Sequence, residues 1–279
     1  LAFALTHLGY LVGASGDLTT AIDLLDESLL IAPTLGDQSY LATALLHRGI
    51  FAQADGDGAK AEEMLRRCLK IRQEIGDQQG VAVALGALGR LSAERGDFVT
   101  ARQRLNESML VSRELGNLHE MTAALDQLGL LAVSAGDYAT AAVFYRESLS
   151  AARQIGQRAA MLLALVGLGE IACAQAEYGR AGAFLRTALR MGVEIQAMPH
   201  ILWILVSMAN LALQSGALEQ SVELVTFPLH HRASSAATRA RAADLMSDLA
   251  RRLPPEAAQF LKGELPWHSP SMSSSVTTP

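Results

Sequence analysis

A period of 40 residues constrains this chain more than any other feature. Gly-Asp recurs at 16–17, 56–57, 96–97 and 136–137, and a second pair recurs as Gly36-Asp37, Gly76-Asp77, Gly116-Asn117 and Gly156-Gln157. A small residue follows each first pair at Ala21, Ala61, Ala101, Ala141 and Ala181, and a glycine falls at Gly9, Gly49, Gly89, Gly129 and Gly169. Four markers keep one register over most of the chain. A fixed period of this length is the signature of one supersecondary unit stacked many times, a solenoid. Within a unit, such as Val81 to Gly116, the Gly ends one helix in the left-handed conformation. The Asp or Asn then caps the next helix by accepting its free N–H groups.

The 279 residues do not set a domain count, because solenoids grow by adding units rather than cores. Half the residues are hydrophobic and only 5% aromatic, which favours closely packed helices. The net charge of −5 and pI of about 5.8 give no basic excess for nucleic acid or an anionic membrane surface. Two cysteines, Cys68 and Cys173, make no disulfide framework, so they are expected to stay unpaired in a reducing cytoplasm. Leu1 falls inside a repeat, so the sequence reads as a piece of something longer, with no signal peptide visible.

The punctuation predicts first helices over roughly 1–14, 38–54, 78–94, 118–134, 158–174 and 198–214. Their partners fall at roughly 18–34, 58–75, 98–115, 138–155, 178–194 and 218–228. The fold class is therefore all-α, an α-solenoid of about six antiparallel helix pairs over 1–228. Regularity decays toward the C-terminus: the fifth turn is Ala176-Glu177, Gln196 replaces a Gly, and Pro228 is expected to cut the last partner helix short. Ser235 then caps a helix to about Leu253, and Pro254-Pro255 opens a short one through Phe260, giving a capping segment over 229–263. The Ser/Thr/Pro-rich stretch 264–279 is expected to be disordered.

These residues resemble a tetratricopeptide repeat. That family's unit pairs Leu-Gly in the first helix with Gly-Asp/Asn-aromatic at the turn, followed by small, large and small residues. Here they are Leu88, Gly89, Gly96, Asp97, Phe98, Ala101, Leu105 and Ser108, then Leu128, Gly129, Gly136, Asp137, Tyr138, Ala141, Tyr145 and Ser148. The period is 40 rather than the usual 34. With the phrases Glu107 to Gly116 and Glu147 to Gly156, it is similar to the C-terminal sensor regions of large bacterial regulators of the MalT-like, LuxR-type and NB-ARC ATPase kinds. The resemblance implies a protein- or effector-binding arm in a bacterial cytoplasm, its ATPase and output domains lying elsewhere.

No constellation points to catalysis, a cofactor or a metal. Asp55-Gly56-Asp57-Gly58 fails as a calcium loop, because Lys60 stands where that loop needs Gly and Arg66 where it needs Glu. The glycines at 86–89 and 167–169 lie inside helices with no preceding strand, so they cradle no phosphate. His7 and His47 occupy equivalent places on adjacent helices, where groove-lining contact is favoured over a metal because no third ligand shares their phase. The run Ile201 to Val206 is too short for a membrane span and reads as a buried helix. The arginines of the last helix are offset by Asp244 and Asp248.

The resembled family binds along its first helices, which line the concave side. The positions three before, one after and five after the helix glycine are expected to face that groove. They hold Arg90, Glu94, Asp126, Leu130, Ser134, Glu170, Asn210 and Gln214, with Leu46, Ile50, Val166 and Val206 as apolar patches. This mixture suits an extended peptide or protein segment. The expected function is a protein- or peptide-binding scaffold, the interaction arm of a larger bacterial signalling or transcription regulator. The alternative is a sensor of a small-molecule effector controlling an ATPase domain.

Overall fold

The computed structural model describes residues 1–252. The described residues form thirteen α-helices and no strand: α1 (Ala2–Ala14), α2 (Leu18–Ile31), α3 (Gln38–Ala54), α4 (Gly58–Glu74), α5 (Gln78–Glu94), α6 (Phe98–Glu114), α7 (Leu118–Ser134), α8 (Tyr138–Gln154), α9 (Arg158–Ala174), α10 (Tyr178–Glu194), α11 (Met198–Gln214), α12 (Leu218–His230) and α13 (Ala236–Arg252). The chain is an all-α repeat solenoid. From α3 to α11 every helix has 17 residues, about 25 Å at ~1.5 Å per residue.

The turn chemistry fixes these lengths. Gly96 stands at φ +78° and the Asp97 carboxylate takes the Thr100 N–H at 3.1 Å, opening α6. Asp17, Asp37, Asp57, Asp77, Asn117 and Asp137 cap their helices in the same way. The irregular turns keep the backbone shape and lose the side-chain cap: Ala176 and Gln196 are forced to φ +60° and +53°, and Glu177, Ala197 and Ala217 make no capping bond.

Packing repeats with the same period. A β-carbon on Gly9 would lie 2.9 Å from Leu25 Cγ, one on Gly49 2.8 Å from Leu65 Cγ, and one on Gly89 2.7 Å from Leu105 Cγ. Each glycine thus admits a fully buried leucine from the second helix of its own repeat. Interior helical glycine costs roughly 1 kcal/mol against Ala, offset here by that close approach. Buried hydroxyls stitch the same pairs: Ser28 Oγ donates to Ala2 O at 3.0 Å and Ser108 Oγ to Ala82 O at 2.8 Å.

The contacts divide the chain into two compact units, Leu1–Ile171 and Ala172 onward. In the first, α1 packs on α3, α3 on α5 and α5 on α7, so the first helices form one layer. The second helices α2, α4 and α6 each bridge to the next first helix. In the second unit α13 packs against both α12 and α11, closing a core of Val206, Ala209, Leu213, Val225, Ala242 and Leu249. Ser235 Oγ accepts the Thr238 N–H at 3.1 Å and so caps α13 as its sequence implies.

Two boundaries differ from the sequence expectation. α2 stops at Ile31 and Pro33 turns the chain through a 3₁₀ turn, Ala32–Leu35. α12 does not stop at Pro228 but runs two residues beyond it to His230. Residues after the proline still donate one turn back, as the His231 N–H does to Phe227 O at 3.1 Å, so α12 ends two residues later and is still short, at 13 residues. The expected short helix through Phe260 and the tail 264–279 lie outside the described residues. No described helix is long and apolar enough to cross a membrane; Leu202, Ile204 and Val206 of α11 are buried instead. Cys68 and Cys173 are both buried and are not joined in a disulfide.

Candidate functional site

The three sequence phases on the first helices meet different surroundings. One residue after the helix glycine, Ile50 of α3, Arg90 of α5 and Glu170 of α9 are half-buried and Leu130 of α7 is exposed. Five after it, Glu94 and Ser134 are exposed. Three before it the chain turns inward: Asp126 is 6% exposed and Val166 3%, with Leu46 half-buried. The cause is helical geometry, since a residue at i−3 shares the face of the glycine, and that face packs on the second helix. In the second unit α11 repeats the order, with Val206 buried, Asn210 half-buried and Gln214 exposed, the last two joined at 3.4 Å.

Arg90 anchors the surface positions of the first unit. Burial pulls its guanidinium below the ordinary value, while the carboxylates of Glu120 on α7 and Glu94 on its own helix act the other way. The cation thus feels two acids, one on its own helix and one on the adjacent first helix. Leu130 stands one helix further along, and Ser134 Oγ turns back to Leu130 O at 3.0 Å.

Beneath this surface Asp126 belongs to a polar cluster whose other members, Tyr145 and Ser148 of α8, the groove assignment did not include. Tyr145 of α8 occupies the phase that holds Leu25, Leu65 and Leu105, and its ring enters between Gly129 of α7 and Gly167 of α9. A β-carbon on Gly129 would lie 2.7 Å from Tyr145 Cζ and one on Gly167 2.4 Å from it. Burial raises the phenol pKa, with Glu170 and Asp126 adding to the shift. Burial also pushes the Asp126 carboxyl up to about 7, opposed by nearby Ser148. Neither Asp126 Oδ1 nor Ser148 Oγ closes a hydrogen bond. In the first repeat the equivalent pair is satisfied, with Thr6 Oγ1 and Ser28 Oγ 2.7 Å apart. The signal for this cluster is a paired departure in the sequence: Leu gives way to Tyr145 in one repeat, and Gly167 appears in the next where His7, His47, Ala87 and Gln127 stand in the others.

The two histidines singled out from sequence fall in an aromatic patch on α1 and α3. Phe3 meets His7 edge-on at 4.1 Å and Tyr40 at 5.3 Å, and Tyr10 lies 4.7 Å from the His47 ring. Burial, with His7 and Arg72 nearby, lowers the His47 pKa to about 4, so the ring is neutral at physiological pH; its Nδ1 has no hydrogen-bond partner.

Residues 1–74 and 40–114 match the family model of the tetratricopeptide repeat. No curated protein sequence matches the chain. Among solved structures, a Rap protein in complex with competence and sporulation factor superposes with a TM-score of 0.75 at 18% identity, over 95% of this chain and 73% of that one. The apo form of RapI gives 0.72 at 13% identity, over 94% of each chain. A signal transduction ATPase with numerous domains from Pyrococcus horikoshii, which carries a tetratricopeptide repeat sensor, gives 0.68 at 17% identity. The match covers 95% of this chain and 39% of that one. Tetratricopeptide repeats are therefore recognised in the chain, and its fold is the one these structures share.

Proposed function

We propose that the chain is a protein- or peptide-binding scaffold whose ligand lies along the first helices of the unit Leu1–Ile171. The observation that carries this reading is the mixed surface of α5 and α7. Half-buried Arg90 lies in the field of the Glu94 and Glu120 carboxylates, and Leu130 of α7 is exposed. Such a surface offers a charged ligand a fixed cation and an apolar side chain a place to pack, and nothing on it is uniformly of one sign. The fold likeness to a Rap protein solved with a bound factor, and to a tetratricopeptide repeat sensor within a larger ATPase, fits the further reading that the scaffold is the interaction arm of a larger regulator.

Peptides selected from a displayed library against the whole chain test it. Arg90→Glu is expected to weaken the selected peptides by about tenfold or more, ~1.4 kcal/mol, and, by setting a third carboxylate near Glu94 and Glu120, to lower the melting temperature somewhat, so binding is measured well below the variant's unfolding transition. Selected peptides that bind Arg90→Glu as tightly as the parent contradict the assignment.

A further inference from the structure

A second surface of the same unit holds a cavity of about 250 Å³ between the second helices α6 and α8 and the first helix α7. Its floor is apolar: Leu128, Leu131, Ala132, Ala135 and Phe144. One repeat earlier, the equivalent notch between α4 and α6 is filled by the chain itself. Arg95 lies across it, donating to the Glu62 carboxylate and, at 2.6 Å, to Gly58 O. Arg104 closes the other side, donating to Ser92 Oγ at 2.8 Å. Counting 40 forward, Arg95 becomes Ala135, Arg104 becomes Phe144, Ser92 becomes Ala132 and Glu62 becomes Arg102. Every group that fills or neutralises the first notch is thus replaced, and the rim charge changes sign. Arg102 makes no ion pair or hydrogen bond with the described residues. On the opposite rim, Asp137 Oδ1 already takes the Thr140 N–H at 3.0 Å as the cap of α8.

We infer that this notch docks a segment of a partner protein that inserts one aromatic or leucine side chain where Arg95 lies in the preceding repeat, next to a carboxylate that pairs with Arg102. Size and charge both set the occupant. The volume accommodates one large side chain and falls short of the ~300–1,000 Å³ typical of pockets for larger free ligands. A desolvated apolar anchor ringed by polar groups is the usual form of an interface hot spot. The unpaired guanidinium calls for an anion on its own side of the notch, and the Asp137 carboxylate on the far rim, already engaged as the cap of α8, repels a second one there. The site is independent of the surface around Arg90, and either can fail without the other.

Methyl NMR of the whole chain, titrated with blocked tripeptides, tests the inference. Glu-Trp-Glu is expected to shift the methyls of Val99, Leu131 and Thr140 with a dissociation constant of about 1–10 mM, as one isolated anchor allows. Glu-Ala-Glu and Lys-Trp-Lys should bind about tenfold more weakly or worse. Ala135→Arg, which copies Arg95 at an exposed helix end, should abolish the shifts. Arg102→Glu, also exposed, should move the preference to Lys-Trp-Lys. Equal binding of the two Trp peptides by the parent chain, unchanged binding by Ala135→Arg, or no shift at about 20 mM peptide overturns the proposal. Tighter binding of free indole-3-acetate than of the tripeptide assigns the notch to a small molecule and overturns it too.

Discussion

The ring of Tyr145 lies against Gly167, so close that a β-carbon on the glycine would stand 2.4 Å from the phenol Cζ. The two residues depart from the repeat pattern together. Gly167→Ala should therefore destabilise the chain by ~1–3 kcal/mol through overpacking. In a Tyr145→Leu background the ring is gone, and the same change should be neutral or stabilising by up to ~1 kcal/mol through helix propensity. A double-mutant cycle by urea unfolding reads the coupling. Additive effects would show that the ring does not depend on the glycine.

Two buried groups should give stability profiles of opposite slope. Asp126 has a folded pKa raised from 3.8 to about 7. Between these values the unfolded chain has lost the proton and the folded one keeps it, so stability falls as pH rises. His47 has a folded pKa lowered from 6.5 to about 4. There the unfolded chain holds the extra proton, so stability rises with pH; His200, also lowered by burial, adds to this side. Each full proton is worth ~1.4 kcal/mol per pH unit, and the two trends largely cancel in the parent between pH ~4 and ~6.5. Asp126→Asn should expose a rising profile in that window, and His47→Gln a falling one. Urea unfolding at several pH values checks both; two variants that keep the parent's profile would refute the assignment.

The irregular turns of the second unit carry removable strain. Ala176 and Gln196 sit in the left-handed region without being glycine, which costs a non-glycine residue ~1–2 kcal/mol. Part of any gain is offset by the extra freedom of glycine in the unfolded chain, ~0.5–1 kcal/mol. Ala176→Gly and Gln196→Gly should each raise stability by up to ~1 kcal/mol, and Gly96→Ala, at φ +78°, should lower it by a similar amount. Thermal unfolding of the three variants measures this, and a loss of stability in the two glycine variants would contradict it.

Most helix ends were legible because their cause is local: a left-handed residue followed by a side chain that reaches three residues ahead, as at Gly96, Asp97 and Thr100. Pro228 does go with a shortened α12, 13 residues against 17 in the regular helices, and only the exact end, two residues later, lay outside what its position shows. The inward turn of Asp126 follows from its i−3 relation to Gly129, a relation the borrowed family phase overrode. The open notch at Ala135 could not be read at all from its own repeat. It exists because Arg95 and Arg104 have no successors there, and that matters only once side chains from different helices are seen to meet.

Ligands are proposed to bind on the first helices of the unit Leu1–Ile171. Hydrogen exchange of the whole chain, with and without a library-selected peptide, tests this most directly. New protection is expected within α5 and α7, over Gln78–Glu94 and Leu118–Ser134, with little change in α4 and α6. Protection confined to the second helices, with α5 and α7 unaffected by a saturating peptide, would contradict it.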